Sequence, residues 1–365
     1  MSKSNDIALL GLSLTKGVGP VTIKNLISLC GSAEAVFATP VGKLKKAPGV
    51  GEKVAHLIKH SEGIKQAEQE LSWCESQGVD LVSYLDPGYP HLLKYIHHAP
   101  LFLFRKGAIE LNAQPNIAIV GTRKASSYGK ALTEQFATFF AERNINVVSG
   151  LAYGIDIIAH KAVLKAGGKT TCVLGHGLDF IYPGTHSAKA QEMLERGGWL
   201  SEYLTGTQPD APHFPARNRI VAGMCRAVVV IEAAESGGAL ITARQAFDSN
   251  REVFAIPGRI GDPVSAGCNK LISEQVARLV SSPEEVLEEL DIQWNNTENQ
   301  APKEPPIPLN KEEALVLNVL QQGEALVDQL HLKTGLQSSR LNSLLLAMEF
   351  KDLIEQMPGK KFRMK

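Results

Sequence analysis

Four short segments of the chain combine glycine with donor side chains, each between an apolar run and a helical stretch. They are Gly121-Thr122-Arg123-Lys124-Ala125-Ser126-Ser127-Tyr128-Gly129, Ser149-Gly150-Leu151-Ala152-Tyr153-Gly154-Ile155-Asp156, Gly175-His176-Gly177-Leu178-Asp179 and Glu235-Ser236-Gly237-Gly238-Ala239. Glycine leaves the backbone amides open to close approach, hydroxyls add donors, and the start of a helix carries partial positive charge. Each segment therefore has the composition of an anion cradle. Arg123 and Lys124, directly after an apolar run, are poorly placed for a core and add charge to the first cradle. A second cationic cluster, Arg217-Asn218-Arg219, follows Phe214-Pro215-Ala216. Arginine offers a planar fork to phosphate oxygens, and a projecting Phe offers a face on which a base can stack. The alternative is that Phe214 is core and the arginines pair with acids such as Glu202 or Glu232.

Other chemistries fit less well. Gly121 and Gly129 do not make a GxGxxG fingerprint, and no complete GxxxxGK[S/T] run occurs, which disfavours dinucleotide and P-loop sites. Asp156 and His160 stand four residues apart on one helix, but an aspartate there more simply opposes the helix dipole, with His160 a satisfied partner. His97-His98 has no carboxylates at metal-ligand spacing and no HExxH is present, so neither metal nor cofactor is expected. The cysteines Cys30, Cys74, Cys172, Cys225 and Cys268 are scattered and lack CxxC spacing, as in a reducing compartment.

The elements that must carry these residues follow from periodicity. Between residues 115 and 281, Val- and Ile-rich runs at 116–120, 145–149, 170–174, 199–200, 227–231 and 252–256 alternate with helical stretches near 129–143, up to 166, 188–196, 217–224 and 239–247. Apolar runs without polar alternation suit a sheet buried on both faces, and strand–loop–helix repetition predicts an α/β, doubly wound Rossmann-like parallel sheet. In such a sheet the loops beyond the strands' carboxyl ends take the ligand.

Before the sheet, Gly17-Val18-Gly19-Pro20 and Pro48-Gly49-Val50-Gly51 each precede a helical run, the pattern of paired helix-hairpin-helix units. Their free amides can meet a phosphate, or the hairpins serve only as packing. After it, Ser282-Pro283-Glu284-Glu285 reads as a capped helix start. Helical periodicity returns at 312–321, 326–333 and 339–350, followed by a hairpin at 354–357 and 361–364, a winged helix. The expected division is a helical domain over 1–78, a Rossmann-like core over 79–292, a linker over 293–309 and a winged helix over 310–365.

Charge limits the function classes. The 38 Lys and Arg balance the 38 Asp and Glu, which excludes a generic polyanion sponge but not a locally positive groove. No signal peptide and no apolar run of about 18 residues is seen, so a soluble, cytoplasmic protein without membrane partners is expected.

The motifs together carry a resemblance. Gly121-Thr122-Arg123 with Ser126 and Gly129, SGLAYGIDIIAH (149–160), GHGLDFIYPGTH (175–186), LSEY (200–203), HFPARNRIVAG (213–223), SGGALITARQA (236–246) and VFAIPGRI (253–260) occur in order and resemble the DNA-processing protein A (DprA/Smf) family over about 80–290. The resemblance implies a non-enzymatic recombination mediator that binds and protects single-stranded DNA, loads RecA during natural transformation, and forms a homodimer. Carried over by motif, Gly121, Thr122, Arg123, Lys124, Ser126, Ser149 and Gly150 would hold phosphates. Arg217, Asn218 and Arg219 would line the same pocket, Phe214 would contact a base, and Ser236, Gly237, Gly238 and Thr242 would form the other wall. Many relatives carry a basic residue after the Tyr-Pro pair where this chain has Gly184, leaving Lys124, Lys130 or Lys189 as substitutes.

Two other readings compete. Related Rossmann proteins that hydrolyse nucleotide N-glycosidic bonds resemble the SGG region, but here the loop runs to Thr242-Ala243-Arg244 without a carboxylate to activate water. A transcription factor would read DNA through the winged helix, yet its recognition helix offers Arg340 and Asn342 and then Leu344, Leu345, Leu346 and Met348, a better packing or partner face than a groove reader.

Overall fold

A computed structural model describes residues 3–293 and 310–364, apart from 322, 352, 358 and 360. The chain divides into two compact units, residues 1–294 and 295–365. All but residue 293 of the expected linker lies outside the described residues.

The first unit opens with helices α1 (Lys3–Leu14), α2 (Pro20–Cys30), α3 (Ala33–Ala38), α4 (Val41–Leu44), α5 (Glu52–Lys59) and α6 (Gly63–Gln77). The two glycine turns are repeats in geometry as well as in sequence. Gly17 and Gly49 share φ of 81°, Val18 and Val50 are buried between them, and each valine amide bonds three residues back, Val18 to Thr15 and Val50 to Ala47, both at 3.1 Å. Asn25 Nδ2, on the helix after the first turn, donates to the Pro48 carbonyl of the second turn at 3.3 Å.

From α6 the chain turns through Gly78 directly into β1 (Val79–Ser83). There follow β2 (Phe102–Gly107), β3 (Asn116–Val120), α7 (Ser127–Glu142), β4 (Asn146–Ser149), α8 (Ile155–Lys165), β5 (Thr170–Leu174), α9 (Ser187–Met193) and β6 (Gly198–Ser201). Then come α10 (His213–Met224), β7 (Ala227–Val230), α11 (Gly238–Asp248), β8 (Glu252–Ala255), α12 (Ala266–Ser273), β9 (Arg278–Leu279) and α13 (Pro283–Glu289). The strand order is β1-β2-β6-β5-β4-β3-β7-β8-β9. From β6 to β9 all neighbours are parallel, whereas β1 and β2 add an antiparallel flank, which short apolar runs alone did not reveal.

Strand alternation divides the core. Ile117 and Ile119 pack with Phe136, Phe140, Ala159 and Val163 of α7 and α8. Ala118 and Val120 face the other way, onto Ile220 and Val221 of α10 and Ala243 and Ala246 of α11. A third cluster joins the front helices to the sheet: Leu9, Leu26 and Ile58 belong to the same core as Phe102, Phe104, Leu174 and Trp199. The change at 78/79 is therefore a change of secondary structure with no break in packing.

The second unit contains α14 (Lys311–Leu320), β10 (Ala325–Leu326), α15 (Val327–Thr334), α16 (Ser338–Phe350), β11 (Ile354–Met357) and β12 (Lys361–Met364), with its strands in the order β10-β12-β11. Leu341, Leu344, Leu345 and Met348 of α16 are buried, so these apolar residues serve the core, whereas Leu346 and Phe350 are exposed. Four of the unit's cations are tied in ion pairs: Arg340 with Glu312, Lys351 with Glu313, Lys361 with Glu324 and Arg363 with Glu355. Among the described residues no helix is long and apolar enough to cross a membrane.

Candidate nucleic-acid interface

From β3 the chain winds through β4 and β5 to β6, then returns past β3 to β7 and winds the other way. The switch point lies between the carboxyl ends of β3 and β7, where an open α/β sheet forms a crevice. A cleft of about 830 Å³ occupies it. Gly121, Thr122, Arg123 and Lys124 line it from the loop after β3, Gly150 from the loop after β4, and Ser236, Gly237, Gly238 and Thr242 from the loop after β7 and the start of α11. The first turns of α10 supply Phe214, Arg217 and Asn218. This helix begins at His213, a turn earlier than expected, which places Phe214 at the rim as part of the helix.

The cleft's charge is unevenly committed. Arg123 and Lys124 are exposed, and among the described residues neither has an ion-pair partner. The Arg123 guanidinium lies 5.9 Å from the centre of the Phe214 ring, a cation–π arrangement that aims both groups at one space. Gly237 precedes α11 and supplies no side-chain cap, so the first amides of that helix are open to an anion. Asn218 bridges the walls, with Nδ2 donating to the Gly238 carbonyl at 3.3 Å and Oδ1 accepting from Arg217 Nε at 3.1 Å.

Arg217 occupies the floor. It is 4% exposed and donates to the carbonyls of Gly150, at 2.9 Å, and Val173. Asp156, also buried, accepts from the amides of Gly150 at 3.1 Å and Ala152 at 3.3 Å. Burial holds the Asp156 carboxyl above its usual range against the opposing pull of Arg217, and burial likewise lowers Arg217, opposed by Asp156. The pair knits the loop after β4 in place. Asp156 and His160 do not meet as acid and base, because His160 Nδ1 lies 2.7 Å from Thr170 Oγ1.

Three expected contacts are displaced. Ser149 is fully buried and its hydroxyl donates to the Ile119 carbonyl at 2.7 Å, so it fastens β4 to β3 and does not face the cleft. Ser126 caps α7, accepting from the Gly129 amide at 3.0 Å, while its own hydroxyl donates to Glu232. Arg219 points to the opposite side of α10 and pairs with Glu202, beside a separate hollow lined by Ser13, Ile23 and His98. Its alternation with Arg217 is that of a helix: neighbours two residues apart face different ways. Thr242 lines the cleft, but its hydroxyl is spent on the Gly238 carbonyl at 3.0 Å. Of the substitutes for Gly184, Lys189 is paired with Glu192 at 2.6 Å, while Lys130 is exposed.

Tyr182, Pro209 and Ala211 also line the cleft. Tyr182 carried a signal in the sequence, as an aromatic in a loop beyond a strand. Pro209 and Ala211 had none, since they arrive from the long segment between β6 and α10.

Comparison with known proteins agrees with this architecture. Residues 80–291 match the family model described as DNA recombination-mediator protein A, 300–360 the DprA winged helix domain, and 9–61 a SAM-like helix-hairpin-helix tandem. The DNA processing protein DprA of Streptococcus pneumoniae is 38% identical over 274 residues, covering 68% of this chain and 96% of its own. Protein Smf of a Synechocystis species is 31% identical over the full length of both. Among solved structures, that of DNA processing protein A from Streptococcus pneumoniae superposes with a TM-score of 0.66 at 37% identity, covering 79% of this chain and 98% of its own. The DNA processing protein A of Helicobacter pylori, solved for its single-stranded DNA binding mode, gives 0.54 at 28% identity, covering 59% and 97%. With the model match spanning more than half of the chain and the sheet, hairpin tandem and winged helix all in place, the protein belongs to the DNA recombination-mediator protein A (DprA/Smf) family.

Proposed function

We propose that this protein is a single-stranded DNA-binding recombination mediator that holds DNA in the cleft between β3 and β7, protects it and loads RecA during natural transformation. The observation that carries the reading is the pairing of unneutralised Arg123 and Lys124 with the rim aromatic Phe214 across one open cleft. Cations track a phosphate backbone, an aromatic face accepts any base, and neither requires a defined sequence. The reading assigns DNA contact to Gly121, Thr122, Arg123, Lys124, Gly150, Phe214, Asn218 and the Ser236–Gly238 loop, with Arg217 beneath them. Division of labour among residues 1–78, 79–292 and 310–365, and action as a homodimer, belong to the same proposal.

The absence of chemistry in the reading rests on Asp156. It is the carboxylate in the cleft lining, and its Oδ2 accepts from two amides of its own loop, those of Gly150 and Ala152. A buried acid so bound is poorly placed to attack a glycosidic carbon or to activate water. The test is a gel-shift comparison of single-stranded and duplex DNA at two salt concentrations. Single strands should bind more tightly, with log K falling against log salt by about 0.7 per phosphate contact. A preference for duplex, or release of free base from nucleoside monophosphates, would refute the reading.

A further inference from the structure

Two tyrosines carry no role assigned above: Tyr182 lines the cleft, and Tyr153 stands on the adjoining loop after β4. Tyr182, after β5, is 47% exposed, and its ring lies 6.1 Å from that of Phe214, tilted by 34°. Tyr153, after β4, is 48% exposed yet held in place. Its ring meets His186 edge-on at 4.9 Å, and its hydroxyl is 3.2 Å from Thr185 Oγ1. His186 is buried, with Nδ1 2.9 Å from the Leu151 carbonyl, so the loops bearing the two tyrosines are fastened to each other. On its other side Tyr153 adjoins Gly154, which lies flush against the backbone of Thr122 and Arg123. The Ile155 amide donates to the Thr122 carbonyl at 3.2 Å. Phe214, Tyr182 and Arg123 therefore line the cleft, and the segment from Tyr182 to His186 leads on to Tyr153, whose loop abuts that of Arg123 through Gly154.

We infer that Tyr182 and Tyr153 continue the stacking surface begun by Phe214, so that successive bases of a single strand leave the cleft over the ends of β5 and β4. The inference rests on the single-strand reading of the cleft and adds the direction in which the strand runs and the groups that receive its bases. An exposed ring with a fixed orientation is a preorganised platform, since little side-chain freedom is lost when a base settles on it. Phosphates between those bases would pass Arg123 and Lys124 on the neighbouring loop. The platform distinguishes no base from another, as a polymer of arbitrary sequence requires.

The test compares an oligothymidylate with an oligomer of the same length and charge whose central positions are abasic, using the full chain. Tyr153→Ala and Tyr182→Ala should each weaken binding of the base-bearing strand by roughly fivefold to a hundredfold. They should leave the abasic strand and the salt slope unchanged. Tyr182→Phe, which keeps the ring, should retain affinity within about twofold. Equal weakening of both strands would overturn the proposal, because a merely structural role does not sense bases. Wild-type binding with both alanine variants unaffected would overturn the tyrosine track and leave the cleft reading standing. Failure of the wild type to bind oligothymidylate would overturn both.

Discussion

Glu232 seals the helix that Ser126 begins: its carboxylate accepts the Ser126 amide at 3.0 Å and the Ser126 hydroxyl, while its own carbonyl accepts the Thr122 amide at 2.7 Å. In a dinucleotide-binding sheet the N-terminus of the first helix after the switch-point strand receives the ligand's pyrophosphate. Here a side chain that is 3% exposed already fills that position. Glu232→Ala should lower unfolding free energy by about 1–3 kcal/mol, the penalty for stranding buried donors, as measured by urea denaturation. Unchanged stability would show that water replaces the carboxylate without cost.

The three arginines of the expected pocket separate by experiment. Arg123→Ala should leave stability unaltered and reduce the salt slope by about 0.7, one phosphate contact. Arg217→Ala should destabilise by about 1–3 kcal/mol, since it takes away the buried donor to the Gly150 and Val173 carbonyls. Arg219→Ala should lower stability through Glu202 and leave the salt slope intact. Salt titrations alongside denaturation curves for the three variants check the assignment.

Phe214→Ala should weaken single-strand binding by about 1–3 kcal/mol with little change in slope. Because Arg123 lies over the same ring, the double variant with Arg123→Ala should lose less than the two single losses combined. A double-mutant cycle at fixed salt reads this directly.

His160 supplies a pH signature of folding. Burial first, then the positive charge of His186 and Arg217, pushes its imidazole down to about 3, and its Nε2 has no hydrogen-bond partner among the described residues. As pH falls below about 6.5 the unfolded chain takes up a proton that the folded chain refuses until about pH 3. Stability therefore drops across that window, by up to about 1.4 kcal/mol per pH unit. Asp156, raised in the folded state, acts in the opposite sense and is common to both proteins. Unfolding curves from pH 7 to 4 should be flatter for His160→Gln than for the wild type.

Removal of residues 310–365 should change binding of protein partners more than affinity for bare single strands, because four of the winged helix's cations are already tied in ion pairs. Fluorescence anisotropy with a labelled oligothymidylate measures the second quantity, and a large loss with unchanged folding would contradict the assignment.

The parallel strands and the glycine loops were legible because their signals are local: residues 117–120 are apolar throughout, as burial on two faces demands. The cleft itself was legible because loops beyond parallel strands must gather on one edge. What escaped was set by tertiary choice. Ser126 and Ser149 have the same chemistry as true anion donors, and only packing shows that Glu232 and the Ile119 carbonyl claim them. Arg217 and Arg219 were inseparable by type, and the helix phase of α10 sends one to the cleft floor and the other to Glu202. The β1–β2 flank was missed since its strands are apolar only in part, with Arg105 and Lys106 at the edge.

The front helices share a core with Phe102, Phe104 and Trp199. A shortened protein starting at residue 79 would accordingly be a sheet missing its roof on one side, with large rings turned toward water and a bias to aggregate. Any deficit seen in such a fragment would report on solubility before it reported on what the paired hairpins touch. Their role is better probed by point changes at exposed lysines such as Lys46 and Lys53, which leave the shared interior whole.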